Sequence, residues 1–121
     1  EALTREIIRV SFDVHNHLGY GFLEKVYENA LVYELNELSL KTEQQRPLTV
    51  KYKGVDVGTY FSDLIVEDRI LLELKTNERL YHDHAPQVLN YLKATGLKVG
   101  LLINFGKTKV EFRRFVQSHH L

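Results

Sequence analysis

Two acids and a lysine lie where the sequence otherwise predicts buried β-strands. Asp63 belongs to an apolar stretch that ends near Val66, and Glu73 and Lys75 belong to the next one, which begins at Ile70. Side chains of a strand alternate between its two faces, so Glu73 and Lys75 share a face. A charge inside an apolar sheet costs free energy unless it is paired or binds a metal ion. The pattern therefore indicates a site that a divalent cation would compensate.

The spacing of the two stretches predicts how they pair. If residues 66 and 70 face each other across a three-residue loop, then 64 opposes 72 and Asp63 opposes Glu73. A two-residue loop would need a bulge nearby to bring the same carboxylates together. Two carboxylates about 5 Å apart repel, and one is driven towards its neutral form unless a cation lies between them. Mg²⁺ suits this position, since it prefers oxygen ligands and keeps several waters.

Lys75 would lie beside such a metal, on the face that it shares with Glu73. There it would orient or help deprotonate an attacking water, or stabilise a developing negative charge. On Glu73 and Lys75 alone, however, a solvated salt bridge is the simpler interpretation. The rest of the chain decides between the two.

Helices are predicted before and after these strands along the chain. Apolar residues at helical spacing and the glycines that interrupt them indicate three helices, at about residues 3–18, 23–38 and 83–95. In the third, Asp83 is the expected N-cap, Pro86 falls in the first turn, and Gly96 ends the helix.

Five strands complete the predicted fold. They are a stretch that opens at Pro47 and turns at Gly54, then residues 57–66, 70–75, 98–104 and 110–115. The order ααβββαββ combines an antiparallel three-stranded meander with a helical crossover. This order predicts an α/β fold with a mixed β-sheet flanked by helices.

Composition limits the class of protein. The 121 residues suit a single domain, 1–121, and sixteen basic residues balance sixteen acidic ones. Without cysteine, the chain has neither a disulfide nor a thiolate site, which fits a reducing cytoplasm. No apolar run approaches the roughly 20 residues that cross a bilayer, so no membrane association is expected. A nucleic-acid site would have to be a local basic patch, and the candidates are Lys51, Lys53, Lys93, Lys98, Lys107, Lys109, Arg113 and Arg114. Scattered solubilising charge explains these residues equally well.

Two histidine clusters attract attention but have ordinary explanations. His15 and His17 fall two residues apart in a predicted helix, where they do not face each other and cannot easily share a metal. His82 and His84 flank Asp83 just before the third helix, where capping or surface roles are expected and a place beside the metal ligands is the alternative. We assign no chemistry to residues 118–121.

The chain also carries a set of spaced motifs. Gly21-Phe-Leu-Glu24-Lys-Val-Tyr27 resembles the signature of the GxxExxY family. Together with Asp63, Glu73-Leu-Lys75 and Gln87-Val-Leu-Asn-Tyr91, it resembles the RecB-type branch of the PD-(D/E)xK nuclease superfamily, from about Leu18 to Phe115. The proline that precedes the first aspartate in that superfamily is Ser62 here.

The resemblance implies a restriction-endonuclease-like fold and hydrolysis of a phosphodiester, in DNA before RNA, by water activated by Mg²⁺ or Mn²⁺. It implies that the metal ligands are Asp63, Glu73, the Leu74 carbonyl and, directly or through water, Glu24. Lys75 would be the catalytic lysine. Gln87 and Tyr91 would contact substrate phosphates or brace Lys75.

Individual residues of these motifs also have structural explanations. Glu24 suits the first turn of a helix through the helix dipole. Tyr27 and Tyr91 suit the core as aromatics with hydrogen-bonded hydroxyls, and Gln87 suits a local cross-link.

Two other functions stay open from the sequence. The same fold can serve as a catalytically silent module that binds nucleic acid or protein, or as a hydrolase of a small phosphorylated molecule. A chain this short shows no separate sequence-reading module, so a homodimer or a protein partner is an expected aid to substrate choice.

Overall fold

A computed structural model of the chain describes residues 1–80 and 84–117. The predicted N-cap at Asp83, the position of His82 and the closing residues 118–121 lie outside the described residues.

Three helices are present in the described part of the chain, close to their predicted positions. They are α1 (Ala2–Leu18), α2 (Glu24–Glu37) and α3 (Ala85–Thr95). Pro86 lies in the first turn of α3, and Gly96 ends the helix in a left-handed conformation with φ of 76°, as predicted. None of these described helices has the length and apolar character that would span a bilayer.

Five strands form one mixed sheet in the described residues. They are β1 (Thr42–Tyr52), β2 (Val55–Val66), β3 (Ile70–Lys75), β4 (Val99–Phe105) and β5 (Val110–Val116), and they lie side by side in chain order. The β3–β4 pair is parallel and the other pairs are antiparallel, with α3 as the crossover between β3 and β4. The predicted order ααβββαββ and the mixed sheet are confirmed.

Helices cover both faces of the sheet. On one face α1 and α2 pack through buried residues such as Ile7, Tyr27 and Leu31 against Leu64, Leu72 and other members of the same apolar cluster. On the opposite face α3 packs through Val88, Tyr91 and Leu92 against Leu71 and Leu102. The sheet is therefore the middle layer of three, and its central strands β3 and β4 carry most of the core.

The first strand begins earlier than its sequence suggested. Pro47 does not open β1 but lies within it, opposite Phe61, while the polar residues from Thr42 onward already pair with the end of β2. An edge strand tolerates proline because the missing N–H would have faced outward. The polar stretch was not recognised as a strand because its pairing is imposed by β2 and not by its own apolar pattern.

The chain after Lys75 is held to the end of β4 by a buried amide. Asn104 is fully buried; its side-chain oxygen accepts from the Asn77 N–H at 2.9 Å, and its Nδ2 donates to the Asn77 carbonyl at 3.0 Å. Close by, a Cβ on Gly106 would lie 2.7 Å from the Lys109 carbonyl oxygen, so only glycine fits. These contacts fix the direction in which the chain leaves β3, and with it the position of Lys75.

We expect Asn104→Ala to destabilise the fold, because both backbone groups of Asn77 would lose their partner in a partly buried place. Each unsatisfied group costs about 1–3 kcal/mol, which lowers the melting temperature by roughly 4 °C per kcal/mol. Thermal unfolding followed by circular dichroism measures the change. Asn16→Ala, at an exposed position of α1, is the control and should melt like the unchanged protein. Equal melting temperatures for both variants would contradict the role of Asn104.

Candidate metal centre

The site lies where β2 leaves β3, a point that we call the fork and define by Asp63 and Leu74. Up to Leu64 the two strands pair in the predicted register, with 64 opposite 72 and 66 opposite 70. The predicted pairing of 63 with 73 is not part of the ladder. A side chain replaces it, because the Asp63 Oδ2 accepts a hydrogen bond from the Leu74 N–H at 2.7 Å. The N–H and C=O of a strand residue point to the same side, so the Leu74 carbonyl also faces the fork.

Glu73 is a buried carboxylate beside Asp63. Its side chain is 5% exposed, and its Oε1 has no hydrogen-bond partner among the described residues. Burial, and then the negative charge of Asp63, raise the pKa of Glu73 to about 8. The pKa of Asp63 is itself raised, mainly by burial. The two predicted neighbours are brought together, and an acceptor oxygen is left for a ligand.

Lys75 and Glu24 lie at the border of the same site. Lys75 is half-buried, and its positive charge lowers the pKa values of Glu24, Asp63 and Glu73 against the larger effect of burial. Glu24 begins α2, and partial burial raises its pKa, with a further contribution from Asp63. The fold therefore brings all four predicted charged residues within electrostatic reach of one another.

Gln87 and Tyr91 approach the site from α3. The Gln87 Nε2 donates to the Tyr91 hydroxyl at 3.0 Å, as their four-residue spacing on one helix face allows. Tyr91 is 6% exposed, and its pKa is raised by burial and then by the charge of Glu73. The pair thus connects α3 to the carboxylates.

Sequence reasoning missed a second buried carboxylate, Glu28. It is 3% exposed and accepts from Gln44 Nε2 at 2.7 Å and from Gln45 Nε2 at 2.9 Å. Gln45 Nε2 also lies 3.5 Å from the Asp63 Oδ1, so one amide joins the two carboxylates. Gln45 adopts a left-handed conformation with φ of 54°, which is uncommon for a residue other than glycine. No local motif marks these contacts; the one signal was an acid at position 28, one turn after Glu24.

One of the histidines also belongs to the surroundings of the site. The His84 Nε2 lies 3.2 Å from the Asn77 Nδ2, and the charge of His84 lowers the pKa of Glu24. By contrast, the His15 Nε2 lies 2.7 Å from the Gly106 carbonyl oxygen, which is a structural contact. His17 is exposed.

Tyr27 acts as a structural residue of the GxxExxY stretch. It is fully buried, and its ring stacks on that of Phe105 with a centroid separation of 4.5 Å. Its hydroxyl donates to the Gly19 carbonyl at 2.6 Å. Ser62, in the position before Asp63, is also buried, and its hydroxyl has no partner among the described residues. Through its hydrogen bond to the Gly19 carbonyl, Tyr27 fixes the loop that leads into α2 and with it the position of Glu24.

The donor set suits a hard divalent cation. Asp63, Glu73 and the Leu74 carbonyl offer oxygen atoms alone, and the unpartnered Glu73 Oε1 is the feature that a bound cation would satisfy. Within residues 1–80 and 84–117 no three acidic or imidazole side chains converge into a closed cage.

Comparison with known proteins assigns the chain to a family. The model of the PD-(D/E)XK nuclease superfamily matches residues 1–115, whereas a search of curated proteins gave no match. Two solved structures share the fold. The crystal structure of SSO0001 has 17% identity and a TM-score of 0.56, over 79% of this chain and 50% of that one. An alkaline exonuclease from Laribacter hongkongensis has 12% identity and a TM-score of 0.56, over 78% of this chain and 56% of that one.

The chain thus spans about half the length of these structures. At such low identity they show the fold alone, while the family model covers nearly the whole chain. The restriction-endonuclease-like α/β fold predicted from the sequence is confirmed, and the chain belongs to the PD-(D/E)XK nuclease superfamily.

Proposed function

We propose that this protein is a metal-dependent nuclease that hydrolyses phosphodiester bonds, those of DNA in particular. The observation that carries the proposal is the buried Glu73 carboxylate beside Asp63, with one oxygen left without a partner. A protein with no ligand for that site would gain stability from a neutral side chain there. Membership of a nuclease superfamily and a fold shared with an exonuclease support the same conclusion.

In this proposal Asp63, Glu73 and the Leu74 carbonyl hold the cation, and Glu24 contacts it directly or through water. Mg²⁺ or Mn²⁺ bound there would neutralise charge on the phosphoryl oxygens and lower the pKa of the attacking water. The Leu74 N–H keeps Asp63 in place, and Gln45 restrains its other oxygen.

Lys75 supplies positive charge where the phosphorane-like transition state is most negative, and it orients the water. Gln87 and Tyr91 form a hydrogen-bonded pair that would contact a phosphate next to the scissile one or brace Lys75. The water oxygen forms the new bond to phosphorus, the ester P–O bond breaks, and the departing oxygen takes up a proton.

The finer assignments belong to the same proposal. Gly21, Glu24 and Tyr27 support membership of the GxxExxY group. We also propose that residues 1–121 form one domain that works in the cytoplasm. Because the chain spans about half of each similar structure, a second copy or a protein partner would supply further substrate contacts.

One observation favours a second candidate, a silent binding module of the same fold. The formal net charge is zero, which gives no long-range attraction to a polyanion. The clustered carboxylates argue against that candidate, because without a metal they repel phosphate. A hydrolase of small phosphorylated molecules is disfavoured because the pocket beside Gln87 and Tyr91 is an open groove between α3 and the β1–β2 hairpin and not a closed cavity.

We expect the protein to cleave labelled DNA with Mg²⁺ or Mn²⁺ and to lose cleavage with EDTA. Glu73→Ala removes a proposed ligand and Lys75→Ala removes the proposed catalytic charge, so each should lower the rate at least about a hundredfold. Single- and double-stranded DNA and RNA are compared by gel electrophoresis.

Lys41→Ala, at an exposed lysine just before β1, is the matched control and should cleave like the unchanged protein. Equal cleavage by the unchanged protein and both site variants would identify a contaminating nuclease and refute the assignment.

The metal-free protein should lose stability as the pH rises from about 5 to 8. The unfolded chain releases the Glu73 proton near 4.5 while the folded protein keeps it until about 8, so ionisation disfavours the folded state in that interval. Each unit of raised pKa corresponds to about 1.4 kcal/mol. Glu73→Gln should remove most of this slope and raise the melting temperature in EDTA at pH 8.

Mg²⁺ or Mn²⁺ should stabilise the unchanged protein at pH 8 and leave the melting temperature of Glu73→Gln nearly unchanged. Glu34→Gln, at an exposed acid of α2, is the control and should keep the response to metal. An equal response of Glu73→Gln to the cation would refute Glu73 as a ligand.

A further inference from the structure

A groove separates α3 from the hairpin of β1 and β2. It has a volume of about 850 Å³, within the range of about 300–1,000 Å³ typical of ligand sites. One wall is the exposed side of α3, where residues three or four positions apart share a face. The other wall is the hairpin. The lining of the groove includes Leu48, Lys51, Tyr60, Gln87, Asn90 and Lys93.

Tyr60 offers an aromatic surface at this groove. Its side chain is 50% exposed, although it lies opposite the buried Leu48 in the hairpin. Its ring is tilted by 54° against that of Tyr91, with the centroids 5.5 Å apart. Tyr91 supports Tyr60 from behind and restricts its movement. A supported aromatic ring that faces solvent is suited to stack on another flat ring.

Lysines border the groove on both walls. Lys93 is exposed on α3, and Lys51 lies on β1, where its ammonium contacts the Asp56 carboxylate at 2.7 Å. Such an exposed pair contributes little to stability and exchanges readily for another anion. Asn90 adds an amide that can donate and accept hydrogen bonds. The groove thus offers cations at its rim and a flat aromatic surface between them.

The groove and the candidate site share the hydrogen-bonded pair Gln87 and Tyr91 of α3. Gln87 and Tyr91 line the groove, and the charge of Glu73 raises the pKa of Tyr91. A polymer that contacts this pair while bound at the fork can extend into the groove beside Tyr60, whose ring lies against Tyr91.

From these observations we infer that the groove binds the unpaired strand of a DNA substrate, with a base stacked on Tyr60 and phosphates near Lys51 and Lys93. Bases in a duplex stack on one another and are not free to stack on a side chain, so the inference assigns a single-stranded segment to this surface. It rests on the proposed function for the identity of the polymer, but it concerns binding and needs no cleavage.

The test is fluorescence anisotropy with a labelled single-stranded oligonucleotide and the blunt duplex of the same sequence, in EDTA. The background is Glu73→Gln, which lacks a proposed metal ligand and cannot ionise at this position. Adding Tyr60→Ala should weaken binding of the single strand roughly tenfold or more, because one stacked base contributes about 1–3 kcal/mol. Tyr60→Phe keeps the ring and should keep the affinity. Tyr33→Ala, at an exposed tyrosine of α2, is the control and should change nothing.

Lys93→Ala should weaken binding of the single strand and lower the dependence of log affinity on log salt by about 0.7. Lys41→Ala, at an exposed lysine that does not line the groove, should leave both unchanged. The inference is overturned if the parent protein does not bind the single strand, if Tyr60→Ala binds it like the parent, or if the duplex binds more tightly and independently of Tyr60.

The two proposals fail in different experiments. Absence of cleavage with metal, together with loss of single-strand binding in Tyr60→Ala, would refute the nuclease and support the groove. Cleavage of DNA with unchanged binding in Tyr60→Ala would refute the groove and support the nuclease.

Discussion

The desolvation of one carboxylate organises the structure around the fork. Glu73 lies in a central strand, where its neighbours in sequence, Leu72 and Leu74, belong to the main apolar cluster. The alternation of the strand turns its side chain to the other face, next to Asp63. Burying two carboxylates next to each other costs free energy. An oxygen-binding cation would offset that cost with the fewest additional groups. The open end of the hairpin gives that cation access from solvent.

The surrounding contacts keep this unfavourable pair in place. Asp63 takes no part in the β2–β3 ladder. Its side chain instead accepts a hydrogen bond from the Leu74 N–H. Gln45 of β1 donates to Asp63 and is itself held by Glu28 of α2, and Asn104 holds the chain beyond Lys75. Sites that carry repulsion or backbone strain persist only where their surroundings determine the geometry. The φ of 54° at Gln45 is the clearest sign of such strain here.

The sequence predicts the hairpin well because its determinants are local. Leu64 and Leu72 share a dry face in one register alone, and that register makes Asp63 and Glu73 neighbours. The α3 pair Gln87 and Tyr91 also follows from helical spacing. The contacts of Glu28 with Gln44 and Gln45 could not be predicted, since they join α2 to β1 through side chains without a motif. The early start of β1 could not be predicted for the same reason, because its polar residues pair only once β2 is in place.

The carboxylate pair and the α3 side of the site differ in the sequence separation of the residues that form them. The fork is built within one antiparallel hairpin, so Asp63 and Glu73 meet after closure of a short loop. Gln87, Tyr91 and the α3 wall of the groove are positioned only when β4 pairs in parallel with β3, which requires the whole crossover. Parallel pairing across a long connection is slow, because the entropy of closing the loop is lost before the contacts form. During folding, the carboxylate pair can therefore assemble before the groove between α3 and the β1–β2 hairpin.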